Sequence, residues 1–217
     1  MTDTYNKQGV MSTTPEEVEF ELRAHVGSIW TGGRLFIGMY TFLVASLAFS
    51  YFYLRSSNNE DLWRPNHVTA PTAYGWAIYG MMLGAGLLAY FGQTRLRKGE
   101  VADWLVACWT GVGLGVVALF LQIWELVVLN FYPGSSGYAS TFVGFVVFNI
   151  ISITLGTYWL ETAVARAHYM RRQMGEGAVL ANTAAGRSFR ANVASMTYFW
   201  GFLSLVGTMF LLMFYVL

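Results

Sequence analysis

Five long apolar segments dominate the sequence and decide what kind of fold the chain can adopt. Each is close to the ~20 residues that an α-helix needs to cross the hydrocarbon core of a bilayer. Together they occupy most of the 217 residues, so little room is left for a separate soluble domain. The sequence therefore predicts an all-α integral membrane bundle of five transmembrane helices, over segments 35–53, 74–91, 104–129, 141–164 and 194–217.

The composition supports a membrane protein. Only 12% of the residues are charged, whereas soluble domains average about 25%. The formal net charge of +1 indicates no nucleic-acid partner. Residues 1–33 form a more polar, acidic tail, and residues 34–217 form the predicted membrane domain. Thr14, Pro15 and Glu17 are typical of a helix start, so we expect a short amphipathic surface helix in the tail.

The basic residues predict an orientation in the membrane. Loops on the cytoplasmic side of membrane proteins carry an excess of Lys and Arg. Alternating crossings place 11 of the 13 basic residues on the side of the N-terminus. Only Arg55 and Arg64 lie on the other side. We therefore expect a cytoplasmic N-terminus and an external C-terminus.

Glu125 is the only acidic residue well inside an apolar segment, and Gln122 lies one turn before it. A carboxylate at membrane depth costs about 2.5–3.5 kcal/mol on insertion scales, so it needs a partner. One interpretation is a polar clamp that binds a neighbouring helix or subunit. The other is a proton-responsive carboxylate. We favour the clamp, because Glu125 lies near the outer end of its segment, where interfacial water can reach it.

Metal ligands are scarce in the apolar segments. His25, His67 and His168 all lie outside them, and Cys108 is the single cysteine. Haem and copper sites need imidazole or thiolate ligands. We therefore expect that this chain binds no metal or cofactor by itself and carries no catalytic residue.

Several further features predict helix contacts and connections. Glu161 is expected to form an ion pair with Arg166 or Arg95 at the inner interface. Small residues four positions apart allow close approach of helices, and such pairs occur at Gly80 and Gly84 and at Gly111 and Gly115. Connections are predicted over 56–72 and 165–192, with an exposed Gly- and Ala-rich stretch at 175–186.

The order and spacing of several motifs resemble subunit III of the haem-copper cytochrome c oxidases, in its short five-helix form. Residues 34–53 resemble one helix of that family, and the likeness continues at low similarity to Leu217. The matching residues are Phe42, Leu43 and Ser46 in the first segment, Gln122 and Glu125 in the third, Tyr138, Ser140, Thr141, Phe142 and Gly156 in the fourth, and Tyr198, Phe199 and Trp200 in the last.

The resemblance implies a metal-free accessory subunit, which stabilises the catalytic subunit of an oxygen-reducing, proton-pumping complex. Its partners would be the haem-copper subunit I, subunit II and membrane phospholipids, and haem and copper would be held by the partner subunits. The expected location is the inner (plasma) membrane of the cell, with several crossings. Residues expected to contact partners or lipid, or to support the fold, are Gln122, Glu125, Tyr138, Ser140, Phe142, Glu161 and Trp200.

Three departures bear on any proton-related role. The family usually has Glu where this chain has Leu47, and it has two histidines where this chain has Asn149 and Ser152. A scaffold role does not need those groups. The alternatives are an accessory subunit of a nitric oxide reductase or another membrane complex, a small transporter or channel component, and a lipid-organising membrane protein.

Overall fold

The computed structural model describes residues 14–58, 60–65 and 68–217, and all regular structure within these ranges is helical. Five of the helices described are long and apolar enough to cross a membrane, which confirms the predicted all-α bundle. The helices are α1 (Pro15–Ser57), the short α2 (Glu60–Trp63), α3 (Thr72–Arg97), α4 (Val101–Val128), α5 (Gly137–Met174) and α6 (Ala184–Leu211). A 3-10 turn at Glu176–Val179 precedes α6, and a π-helical turn at Leu212–Val216 extends it.

The long helices alternate in direction. Helix α3 packs on α4 and α6, α5 packs on α4 and α6, and α1 packs on α5 and α6. The end that contains Arg97 and Arg187 is called the basic end below. The opposite end, which contains Tyr51, Tyr138 and Tyr215, is called the tyrosine end.

Helix α1 corrects the prediction of a separate surface helix. The helix runs without interruption for 43 residues, which is about 65 Å against a hydrocarbon core of about 30 Å. The predicted start is confirmed, because Thr14 and Glu17 form a reciprocal capping box with bonds of 3.3 and 3.2 Å. No proline follows Pro15 before Ser57, so nothing ends the helix at the membrane boundary.

The predicted connection over 165–192 was largely wrong. Helix α5 continues to Met174, and α6 already begins at Ala184. Ala163, Ala167 and Met170 are buried at helical spacing, so the polar end of α5 is amphipathic rather than irregular. A window of continuous hydropathy misses such a helix, because only one face of it is apolar.

Most of the stretch 175–186 is exposed as predicted, but parts of the connections are more buried than expected. In the stretch predicted as an exposed connector, Val179 is fully buried and Gly186 packs against the Ala181 carbonyl. The described part of the connection over 56–72 lies at the tyrosine end, where Trp63 and Ala70 are buried. His67 lies outside the described residues.

Both glycines of the pair on α4 lie at a helix contact, whereas in the pair on α3 only Gly84 does, where an added Cβ would lie 3.2 Å from Leu114 Cδ1 of α4. A Cβ added to Gly111 would lie 3.0 Å from Leu160 Cδ2, and one at Gly115 would collide with Thr157, both on α5. Gly80 has nothing within 4 Å. The pair on α4 therefore allows α4 and α5 to approach closely, as expected for small residues.

Candidate functional site

A buried polar cluster surrounds Glu125 at the tyrosine end. Glu125 and Gln122 are both fully buried. Gln122 Nε2 donates to Glu125 Oε2 at 2.6 Å, and the Tyr215 hydroxyl donates to Glu125 Oε1 at 2.7 Å. Each carboxyl oxygen therefore accepts a hydrogen bond from within the bundle. The expectation that interfacial water reaches Glu125 was wrong, because the end of α6 covers it.

The cluster extends to the remaining core helices. Asn149 on α5 donates to Gln122 Oε1 at 2.6 Å, and it lies 3.6 Å from the Met82 sulfur on α3. Side chains of α3, α4, α5 and the turn after α6 thus meet in one polar cluster. Within the described residues Glu125 forms no ion pair. The Tyr215 bond links Glu125 to the turn after α6, which agrees with the clamp interpretation. The choice between a clamp and a proton-responsive carboxylate stays a prediction.

The π-helical turn after α6 is held by tyrosines from other helices. Tyr51 on α1 donates to the Met213 carbonyl at 2.6 Å, and Tyr138 on α5 donates to the Phe214 carbonyl at 3.0 Å. Tyr138 also accepts the Ala70 N–H at 3.1 Å. Tyr51 and Tyr138 are fully buried. A π-turn leaves backbone groups outside the usual α-helical pattern, and these hydroxyls satisfy two of the carbonyls.

Three other residues singled out in the sequence have separate positions. Phe142 is buried in the aromatic cluster of the tyrosine end. Ser140 is exposed, and its hydroxyl accepts the Gly134 N–H at 3.0 Å. Trp200 is buried, and its indole donates to the Gly156 carbonyl of α5 at 3.1 Å. Each of these contacts joins parts of this chain and supports its fold.

The predicted ion pair of Glu161 was wrong. Glu161 is exposed, and it makes no ion pair with any residue in the part of the chain that the structure describes. Arg95 instead pairs with Glu100 at 2.5 Å and with Asp103 at 3.7 Å. These acids follow Arg95 across a short turn, whereas Glu161 lies on α5, which does not pack against α3 there. Proximity in the turn therefore decides the partner of Arg95.

The positions where the chain departs from the family pattern lie on helix contacts. Asn149 and Ser152 are both 1% exposed. Ser152 Oγ lies 3.0 Å from the Tyr40 hydroxyl of α1, while Asn149 joins the cluster of Glu125. Leu47 packs against the apolar core. Small neutral polar groups thus connect helices at the two positions that the resemblance matches to histidines of the family.

Sequence reasoning missed a cleft at the basic end. A first cavity of about 380 Å³ lies between α1, α3 and α6, and its lining includes Trp30, Gln93 and Arg97. A second cavity of about 680 Å³ shares Gln93 and Arg97 and continues between α3 and α6 past Tyr90. A third cavity of about 260 Å³ shares Trp30 with the first and is also lined by Ser195. The three cavities are called the basic-end cleft below.

Two polar groups in the cleft have no partner. Gln93 is 7% exposed, and its amide makes no hydrogen bond to any described residue. Ser195 is 3% exposed, and its hydroxyl is likewise unpaired. Enclosed polar atoms are nearly always hydrogen-bonded, and Ser195 Oγ is an exception to this rule. The only signal in the sequence was the spacing of Gln93 and Arg97, which places both on one face of a helix.

No group of three or more His, Cys, Asp or Glu side chains that would suit a metal ion is found among the described residues. His25 and His168 are exposed on different helices, and Cys108 is fully buried. The absence of a metal site on this chain stays a prediction.

No family model matches the sequence, and comparison with the curated proteins finds no significant match. The likeness to subunit III of the haem-copper oxidases is therefore carried by the residues named in the sequence alone, and membership of that family stays a prediction.

Proposed function

We propose that this chain is a metal-free accessory subunit of a haem-copper terminal oxidase and stabilises the catalytic subunit. The observation that carries the proposal is the bonding of Glu125. Its two carboxyl oxygens accept bonds from Gln122 and Tyr215, and the residue is fully buried. The one deep carboxylate thus holds helices together, which is what a scaffold requires. Haem, copper and the reaction with oxygen would belong to partner subunits I and II.

A scaffold subunit needs a large apolar surface for partners and lipid. Helix α1 is the least buried of the long helices. Only 17% of its most apolar 18-residue stretch is buried within the bundle. Met39, Phe42 and Phe49 on it are each at least 70% exposed. Apolar side chains at membrane depth face either lipid or another helix. We propose that α1 provides part of the surface for the catalytic subunit.

Phospholipid is the second proposed partner. The basic-end cleft combines arginines at its mouth with an apolar groove between α3 and α6, and it contains the unpaired groups of Gln93 and Ser195. This combination matches an amphiphile with a polar, negatively charged head and acyl chains. We propose that the basic end faces the cytoplasm and that a phospholipid from that leaflet occupies the cleft.

Purification from the native membrane tests the main proposal. The chain should be solubilised in a mild detergent, captured with an antibody, and analysed by intact-complex mass spectrometry and optical spectroscopy. We expect a larger partner with a haem spectrum that changes on reduction. A chain that is captured alone, or with partners that lack haem, would contradict the proposal. A complex that reduces nitric oxide rather than oxygen would favour the nitric oxide reductase.

A transporter component remains the alternative from another class, and Glu125 distinguishes it. The Glu125→Gln substitution keeps the shape of the side chain and most of its hydrogen bonds. Loss of an uptake activity in this variant, with assembly unchanged, would favour a transport role. Unchanged turnover of the oxidase in the same variant would favour the scaffold.

A further inference from the structure

An ion pair joins the start of α1 to the start of α6 beside the basic-end cleft. Arg187 Nη1 lies 2.7 Å from Glu19 Oε1, and Arg187 Nε donates to Asn182 Oδ1 at 2.7 Å. Arg23 Nε lies 3.1 Å from the same oxygen of Glu19. The guanidinium of Arg187 is thus held from two sides, with Glu19 as its only anionic partner among the described residues.

The ion pair is continuous with one wall of the cleft. Val26 and Trp30 on α1 line the first cavity together with Arg187. Glu19, Val26 and Trp30 are separated by seven and four positions, so they lie on one face of the helix. Contact of Glu19 with Arg187 therefore holds this face of α1 against the mouth of the cavity.

The three arginines of the first cavity differ in their partners. Arg190 donates to the carbonyls of Val179 and Ala181. Carbonyl oxygens carry no formal charge, so the positive charge of Arg190 is not neutralised. Arg97 is exposed and makes no ion pair with a described residue. Arg187 alone among the three is paired with a carboxylate. None of the described residues that line the first cavity is acidic, so an entering anion would find an excess of positive charge there.

We propose that Glu19 is an internal competitor for the head group of an anionic phospholipid in the basic-end cleft. While the cleft is empty, the Glu19 carboxylate pairs with Arg187 and keeps the start of α1 against the mouth of the cleft. When an anionic lipid enters, its phosphate binds Arg187 in place of Glu19. The start of α1 then loses its ion pair with α6. The idea rests on the proposed lipid binding. Glu19 would then decide which head groups the cleft admits, since a zwitterionic lipid gains less from displacing it.

The test compares lipid retention by the full chain and its variants. Detergent-solubilised protein is mixed with equal amounts of phosphatidylglycerol and phosphatidylcholine, and native mass spectrometry counts each lipid that stays bound. Glu19→Gln removes the competing charge and should raise the retained ratio of phosphatidylglycerol to phosphatidylcholine about five-fold. Arg187→Gln should lower it. Glu21→Gln, an exposed acid on the same helix, is the matched control and should leave the ratio unchanged.

The direction of change separates competition from a purely structural clamp. If Glu19 only anchors α1, its loss would weaken lipid retention as the loss of Arg187 does, and this would overturn the proposal. An unchanged ratio in Glu19→Gln, with clear preference in the wild type, would overturn the competition and leave lipid binding standing. If neither the wild type nor any variant preferred phosphatidylglycerol, both the competition by Glu19 and the proposed binding of an anionic lipid would be contradicted. Displacement of phosphatidylglycerol by inorganic phosphate alone would also overturn it, since the site would then bind a free anion.

Discussion

Glu125 and Tyr215 lie 90 positions apart in the chain, and one hydrogen bond of 2.7 Å joins them inside the bundle. Hydrogen bonds between membrane helices are worth about 0.6 kcal/mol on average and at most about 1.7 kcal/mol. Glu125 accepts one such bond, from Tyr215, and a second bond from Gln122 of its own helix. The residue therefore contributes modestly to stability as long as both donors are satisfied.

Replacement of Glu125 by leucine should destabilise the bundle by about 1–3 kcal/mol, because the donors of Gln122 and Tyr215 lose their acceptor in an apolar surrounding. Glu125→Gln is the matched control. It can accept from Gln122 and donate to the Tyr215 oxygen, so its effect should stay below about 0.5 kcal/mol. Unfolding by SDS in mixed micelles, followed by far-ultraviolet circular dichroism, measures both. Equal losses in the two variants would contradict the hydrogen-bonded clamp.

The pairing of Gln122 with Glu125 was predictable, because a spacing of three places both on one helix face. The partners of Gln122 and Glu125 on other helices were not predictable. Asn149 and Tyr215 belong to different helices, and the sequence alone gives no register between them. A long-range contact depends on how the helices cross, which is decided by packing over their whole length.

Helix α4 offers a direct comparison between a packed and an unpacked glycine. Gly115→Val should lower stability by about 1–3 kcal/mol, because the new side chain collides with Thr157 on α5. Gly113→Val, two positions away on the same helix, meets nothing within 4 Å. It should leave the thermal unfolding midpoint in detergent nearly unchanged. Similar midpoints for the two variants would mean that α4 and α5 do not approach as described.

The start of α1 depends on its cap. Thr14→Ala removes the acceptor for the Glu17 N–H, which costs about 1 kcal/mol at a helix N-terminus. Hydrogen exchange of the first-turn amides should become about five-fold faster, while exchange in the membrane part stays the same. Ser28→Ala is the control, because that hydroxyl bonds only to the His25 carbonyl. Faster exchange along the whole helix would contradict a local cap.

The existence of the helices and the start of α1 were predictable, but the polar ends of α5 and α6 were not. The five apolar segments were found from hydropathy, since a lipid-exposed helix is apolar on all faces. The ends of α5 and α6 extend about ten residues further, where helix formation follows from one buried face, as at Ala167 and Phe189. That signal has a period of 3.6 residues and disappears when hydropathy is averaged over a window.

For the whole molecule, the positive-inside rule predicts that the basic end faces the cytoplasm. Gly177 lies exposed at the basic end and Ser135 lies exposed at the other. A membrane-impermeant maleimide added to intact cells should therefore label Ser135→Cys and leave Gly177→Cys unlabelled. Disruption of the membrane should make both reactive. Labelling of Gly177→Cys in intact cells would mean that the basic end faces outward, which contradicts the predicted orientation.

The wild-type thiol supplies the baseline for that experiment. Cys108 is fully buried, and a Cβ at Gly92 on α3 would lie 3.6 Å from its sulfur. A small permeant alkylating reagent can reach it only when α3 and α4 separate. The rate of alkylation at increasing temperature would therefore measure how often this helix pair opens, without any substitution in the chain. A bound partner subunit that lowers this rate would be shown to act on the interior of the bundle as well as on its surface.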